Sequence, residues 1–126
     1  MKNVLFTAHV DQHLKHFHEP FLKWFKDNNY KVHTASNGNE NVKYVDQKFN
    51  VKFSRNPFSI NNLIAFFQLK KIFRNNSYEI IHCHTPVGGL VTRIAASMFS
   101  QNTKVIYTAH GFHFFKGAKK YYWILF

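Results

Sequence analysis

Three apolar runs of strand length end in histidine: Val4-Leu5-Phe6-Thr7-Ala8-His9, Glu79-Ile80-Ile81-His82-Cys83-His84 and Lys104-Val105-Ile106-Tyr107-Thr108-Ala109-His110. In an open α/β sheet, ligands collect outside the carboxyl ends of the strands. Imidazoles delivered to that edge can hydrogen-bond a hydroxyl or a phosphate in either protonation state. His110 is the leading candidate for chemistry, because the following Gly111 breaks the run where a buried strand would leave the sheet.

Other spacings admit other chemistry. Thr85-Pro86-Val87-Gly88-Gly89 opens a helix directly after a strand, with Thr85 as N-cap and Pro86 at the first helical position. The free N–H groups of that turn suit an anion, and two glycines allow close approach. The same glycines would equally let the helix pack tightly on the sheet, and both readings stand. His16-x-His18, His82-x-His84 and His110-x-x-His113 have spacings that could serve a metal. Residues two apart on a strand share a face, so His82 and His84 converge while Cys83 points the other way. With no carboxylate cluster beside them, no metal is expected. The fingerprints G-x-G-x-x-G and G-x-x-x-x-G-K-[ST] are absent, and residues 9–13 after the first strand contain no glycine. Hydride transfer and nucleoside-triphosphate hydrolysis are therefore unsupported.

These residues need a sheet to hold them. Lys2–Ala8 reads as a continuous apolar strand, as in a sheet covered on both faces. His9–Gln12 reads as the loop after it. Leu14, Phe17, Phe21, Trp24, Phe25 and Asn28 then follow at helical spacing, with Pro20 producing a kink or a restart near Glu19 and Asp27-Asn28-Asn29 a stop. Tyr30–Ala35 is the second strand and Asn50–Phe53 a short third. Ser59 caps a helix to about Arg74, with Ile60, Leu63, Ile64 and Phe67 on one face and Phe66, Leu69 and Phe73 on another. Tyr78–Cys83 is the fourth strand. Val87, Leu90, Val91, Ile94 and Met98 form an apolar stripe on the next helix, and Lys104–Ala109 is the fifth strand. A further helix from Lys119 ends within the apolar Trp123-Ile124-Leu125-Phe126, which suggests a domain cut inside a helix. The alternation predicts an α/β fold, a Rossmann-like parallel sheet with helices on both faces.

The 126 residues suffice for one domain over 1–126, and 17 basic against 6 acidic residues leave a formal charge of +11. That surplus calls for an anionic partner: nucleic acid, phosphate or an anionic membrane. The segment 112–126 mixes Phe112, Phe114, Phe115, Tyr121, Tyr122, Trp123 and Phe126 with Lys116, Lys119 and Lys120. It suits a membrane interface, base stacking or an ordinary core helix. A nucleic-acid module is disfavoured, because the lysines are scattered without an arginine-rich stripe while the histidines gather at strand ends. One cysteine, Cys83, permits no intrachain disulfide. No apolar run has the length of a signal-peptide core or of a membrane span, so a cytoplasmic location, at most resting on a membrane, is expected.

Residues 82–89 (HCHTPVGG) and 107–114 (YTAHGFHF) together resemble the family 4-like glycosyltransferases of bacterial surface-polysaccharide synthesis. Residues 7–13 (TAHVDQH) and 20–25 (PFLKWF) resemble that family's first strand and helix. The resemblance implies the N-terminal, acceptor-side domain of the two-domain GT-B architecture. It implies transfer of a sugar with retention of configuration and without a bound metal. The nucleotide-sugar donor would bind a C-terminal domain whose Glu-x7-Glu pattern is not found here, so this domain holds no cofactor of its own. The acceptor would be a glycan, often lipid-linked, at the inner face of the cytoplasmic membrane. His110 matches the family histidine that contacts the transferred sugar or the donor phosphate and is the expected catalytic residue. The expected substrate contacts are His9, Asp11 and His13 after the first strand, His84, Thr85, Gly88 and Gly89 after the fourth, and Gly111 beside His110.

Overall fold

The computed structural model describes residues 2–100 and 102–108. Ala109, His110, Gly111 and the aromatic-lysine segment 112–126, with its expected helix, lie outside the described residues. Among the described residues nine elements follow in order: β1 (Lys2–Val10), α1 (Asp11–Phe17), α2 (Glu19–Asp27), β2 (Tyr30–Asn37), β3 (Gln47–Asn50), α3 (Ile60–Asn75), β4 (Ile80–His84), α4 (Pro86–Phe99) and β5 (Lys104–Thr108). The strands form a parallel sheet in the order β3-β2-β1-β4-β5. The Rossmann-like α/β fold expected from the alternation is the fold observed.

The strand order reverses at β1. Right-handed crossovers then require the helices before and after the reversal to lie on opposite faces, and two separate cores are found there. Val4, Phe6, Ala8 and Val32 join Leu14 and Leu22 of α1 and α2 on one face. Leu5, Ala35 and Ile81 join Leu69, Ile72, Phe73, Ala95 and Ala96 of α3 and α4 on the other. Residues alternate between these cores along β1, which explains its unbroken apolar run: both faces are covered.

Several expectations needed revision. The third strand is Gln47–Asn50 rather than 50–53. Val51 and Phe53 are buried in the α3–α4 core but lie beyond the strand. Val51 N–H still donates to the Ser36 carbonyl of β2 at 3.1 Å, but the burial that sequence patterning detects runs on past the end of the strand. His9 and Val10 are not loop: β1 runs to Val10 through a register shift between Thr7 and Val10, and α1 begins at once at Asp11. The expected helical stripe through residues 14–28 is interrupted at His18, where α1 ends and α2 starts with Pro20 in its first turn. The break resets the helical phase. Leu14, Leu22 and Phe25 pack inward, while Phe17, Phe21 and Trp24 are each more than half exposed. On α3 the later face is buried, and Ile60, Leu63 and Phe67 face outward.

The stripe expected on α4 is largely reversed. Gly88, Gly89, Thr92, Ala95 and Ala96 are buried with Val87, whereas Leu90, Ile94 and Met98 are exposed. Small side chains let the helix come close to the sheet. The hydroxyls of Thr7 on β1 and Thr92 on α4 lie 2.9 Å apart, and Thr92 also donates to the Gly88 carbonyl at 2.7 Å. The stop after α2 is as expected: Asn29 takes a left-handed φ of 68°, and Asn28 Nδ2 donates to the Trp24 carbonyl. Ser59 caps α3 by accepting from Asn61 N–H.

His33 on β2 is buried, with Nδ1 2.7 Å from the Tyr78 hydroxyl. Burial lowers its pKa; Asp46 opposes that shift and Lys31 adds to it. The unfolded chain therefore binds the proton more readily below the ordinary imidazole value, and stability rises with pH through that window. This contribution is complete above about pH 6.5 and is lost as the pH falls toward the lower folded value. Urea midpoints should drop between about pH 7.5 and pH 5.5. The drop should shrink in His33→Gln; an unchanged pH dependence would exclude this histidine as its source.

Candidate active site

The strand order turns back between β1 and β4, and ligands bind α/β sheets in the crevice outside such a switch point. Its two sides are built from residues 9–13, across the end of β1 and the start of α1, and 84–89, across the end of β4 and the start of α4, joined by a direct contact: Thr85 Oγ1 accepts from His9 N–H at 3.2 Å. Thr85 stands at the N-cap of α4 before Pro86, as expected, yet its hydroxyl makes no cap bond to the helix. It serves the neighbouring strand instead. Its backbone is at φ 67°, ψ 146°, a conformation that a β-branched residue adopts only when its surroundings enforce it. Pro86 contributes by excluding helical angles from the residue before it.

The glycines after Thr85 are explained by packing. A Cβ on Gly88 would lie 2.7 Å from Thr85 Oγ1, and one on Gly89 would lie 2.5 Å from the Tyr107 ring. Arg93 lies over the other part of this contact, its guanidinium carbon 4.6 Å from the Tyr107 ring centroid. The first turn of α4 thus fits tightly between β1 and β5.

Asp11 is a buried hub. Ser36 Oγ donates to Oδ1; Lys48 Nζ and the Glu40 N–H donate to Oδ2, the latter at 3.0 Å. Lys48 also donates to the Gly38 carbonyl. Gly38 has φ 135°, and an added Cβ there would stand 2.8 Å from Asp11 Oδ2. With its carboxylate held inside the domain and 1% of the residue exposed, Asp11 anchors the chain leaving β2 against the start of α1. This geometry gives it a positioning role. His9 is part-buried, and burial followed by the nearby Arg55 lowers its pKa.

His13, His18, His82 and His84 gather on the α1–α2 side of the sheet. His82 and His84 do share a face, with ring centroids 4.2 Å apart. His84 is stacked on Phe6 at 5.7 Å and 19°, and His18, from the break between α1 and α2, lies 3.7 Å from His84. His13 of α1 is 5.1 Å from His18 and 6.0 Å from His84. His82 Nε2 is 2.5 Å from Thr108 Oγ1, which ties β4 to the end of β5. Cys83 points to the opposite core, where burial pushes its thiol up to about 11 and leaves it little thiolate at neutral pH.

A family description, "Glycosyl transferase 4-like", matches residues 3–126. The chain belongs to that family. It is also 50% identical over 126 residues to a Bacillus subtilis (strain 168) protein named "Putative glycosyltransferase EpsD", covering 99% of this chain and 33% of that protein. The chain therefore spans about a third of the length of the curated relative it matches.

Of the expected glycosyltransferase contacts, His9, Asp11, His13, His84, Thr85, Gly88 and Gly89 all fall at the β1–β4 edge, although only some face the same way. Gly88 and Gly89 are buried in the first turn of α4, and Asp11 is turned inward. His110 and Gly111 lie outside the described residues. Sequence reasoning named His18 only within the spacing His16-x-His18, for which no metal was expected, and missed Lys48 and Ser36. His18 carries a local signal, since it immediately precedes Glu19-Pro20 at the helix break. Lys48 reaches Asp11 across 37 positions, and nothing local marks it.

The fit around Gly89 gives a direct test. Gly89→Ala should destabilise the domain by about 1–3 kcal/mol through overpacking against Tyr107, read from chemical denaturation. Tyr107→Leu in the same chain should recover part of the loss. An unchanged midpoint in Gly89→Ala would show that the ring yields without cost.

Proposed function

We propose that this chain is the acceptor-side domain of a retaining glycosyltransferase that builds a surface polysaccharide. The donor is a nucleotide sugar bound by a second domain. The acceptor is a glycan carried on polyprenyl phosphate at the inner membrane face. In the reaction an acceptor hydroxyl forms the new glycosidic bond and loses its proton, while the bond from the sugar to the nucleotide diphosphate breaks. The observation carrying this reading is the reversal of strand order between β1 and β4, with histidines at both strand ends, in a glycosyl transferase 4-like chain.

In sequence, His110 is the second residue after the last of β5. In this reading it donates to the sugar or to the leaving phosphate as negative charge develops. A positioned donor of that kind is worth about 3–4 kcal/mol, roughly a hundredfold to a thousandfold in rate. In the full-length protein, His110→Ala should lower turnover by that factor with the fold intact, as judged by circular dichroism. His113→Ala should cost less. The product should keep the anomeric configuration of the donor by NMR. Near-normal turnover of His110→Ala would remove the catalytic assignment, and an inverted product would remove the retaining one.

The surface supports the membrane part of the proposal. Phe17, Phe21 and Trp24 are each more than half exposed, on helices that also carry Lys15, Lys23 and Lys26, which pair with Glu40, Asp27 and Asp46. Among the described residues no helix is long and apolar enough to cross a membrane. Aromatics and lysines on one surface suit peripheral attachment, each basic residue contributing on the order of 1 kcal/mol at an anionic surface. Binding to vesicles containing phosphatidylglycerol should exceed binding to neutral phosphatidylcholine vesicles and should weaken as salt rises. Phe21→Ser/Trp24→Ser should reduce binding at any salt. Equal binding to both vesicle types at low salt would exclude the electrostatic contribution.

A further inference from the structure

His13, His18 and His84 come from three separate places: the first turn of α1, the break between α1 and α2, and the last position of β4. The fold brings them together so that one ring nitrogen from each lies within 4.8 Å of the other two. His18 and His84 are buried and His13 is half-buried. From this convergence we propose that the three histidines form a binding site for a divalent transition metal, best suited to zinc, that clamps the α1–α2 elbow to the end of β4.

Geometry supports this in three ways. In a tetrahedral site with zinc–nitrogen bonds of about 2.0–2.1 Å, ligand nitrogens stand roughly 3.3 Å apart. The present separations, at most 4.8 Å, would have to shorten by up to about 1.5 Å to reach it. Second, all three donors are imidazoles. That set suits zinc, copper or nickel and does not suit magnesium or calcium, which take oxygen ligands. Third, the neutral imidazole is the binding form, and three such ligands leave a fourth position for water or another group. The formal charge of +11 opposes entry of a dication. Three-histidine zinc centres with no carboxylate ligand are nevertheless stable, so coordination outweighs net charge.

The competing explanation is that the rings are only stacked filler: His18 and His84 are 3.7 Å apart at 34°, and His84 lies on Phe6. Filler and ligand make different predictions. His16 is the control, because it is exposed and lies two residues from His18 without belonging to the group.

The full-length protein, purified without a polyhistidine tag and stripped with chelator, should take up one zinc per chain by elemental analysis and calorimetry. Zinc should raise its melting temperature, and cobalt in its place should show the visible absorption of tetrahedral coordination. His84→Ala, His18→Ala and His13→Ala should each weaken binding by more than the roughly 10–100-fold that loss of an outer-shell partner costs. His16→Ala should bind as the parent does. Should the buried positions fail to fold when truncated, the half-buried His13→Ala and His13→Gln decide the matter. Absence of stoichiometric zinc in the parent, or undiminished zinc in the His13 variants, would overturn the proposal whatever the glycosyl-transfer assays show.

Discussion

The parallel pairing of β1 with β4 is the constraint on which the rest of this domain depends. Val4 is in register with Ile80 and Thr7 with Cys83, while β1 pairs on its other edge with β2. The chain reaches β4 only after crossing back over the sheet through α3. That reversal separates the helices onto two faces and opens a crevice at the carboxyl ends. It also brings residues 9–13 and 84–89 together, though more than seventy positions separate them. The Thr85 hydroxyl seals the junction by taking the His9 N–H.

Tight local packing then sets the details of this edge. Thr85 is held at a positive φ between a strand end and a proline. Gly88 and Gly89 have no room for a Cβ, and Thr7 meets Thr92 across the helix–sheet contact. On the other side of the crevice, Asp11 gathers Ser36, Lys48 and the Glu40 N–H. A buried carboxylate is costly unless fully hydrogen-bonded, so these contacts fix the start of α1 and with it His13. Position at the edge is therefore shared between residues that can meet a ligand and residues that hold them in place.

The outer surface has a different logic. Large apolar side chains lie outside on all the longer helices: Phe21 and Trp24 on α2, Ile60, Leu63 and Phe67 on α3, and Leu90, Ile94 and Met98 on α4. A sheet approached closely by a helix accepts small residues and displaces large ones. The most apolar stripe is then not the buried one. The chain spans about a third of its relative, and surfaces of this kind meet further partners in larger assemblies.

Much of the fold was legible in the sequence. Apolar runs marked β1, β4 and β5, Tyr30–Ala35 was read as β2, and Ser59, Pro86 and Asn28-Asn29 marked helix ends, because those signals are local: strand burial, capping and the geometry of proline and asparagine. The histidines at strand ends were legible for the same reason, as was the shared face of His82 and His84. The inward faces of the helices were not. A stripe gives the periodicity of a helix but not the distance to its neighbour, and on α4 that distance favoured glycine and alanine. Val51 and Phe53 looked like a strand because burial and pairing leave the same mark on composition. The grouping of His13, His18 and His84, and the reach of Lys48 to Asp11, depended on strand order and on the helix break at His18. Those are properties of the assembled sheet, because they join side chains that no local pattern relates.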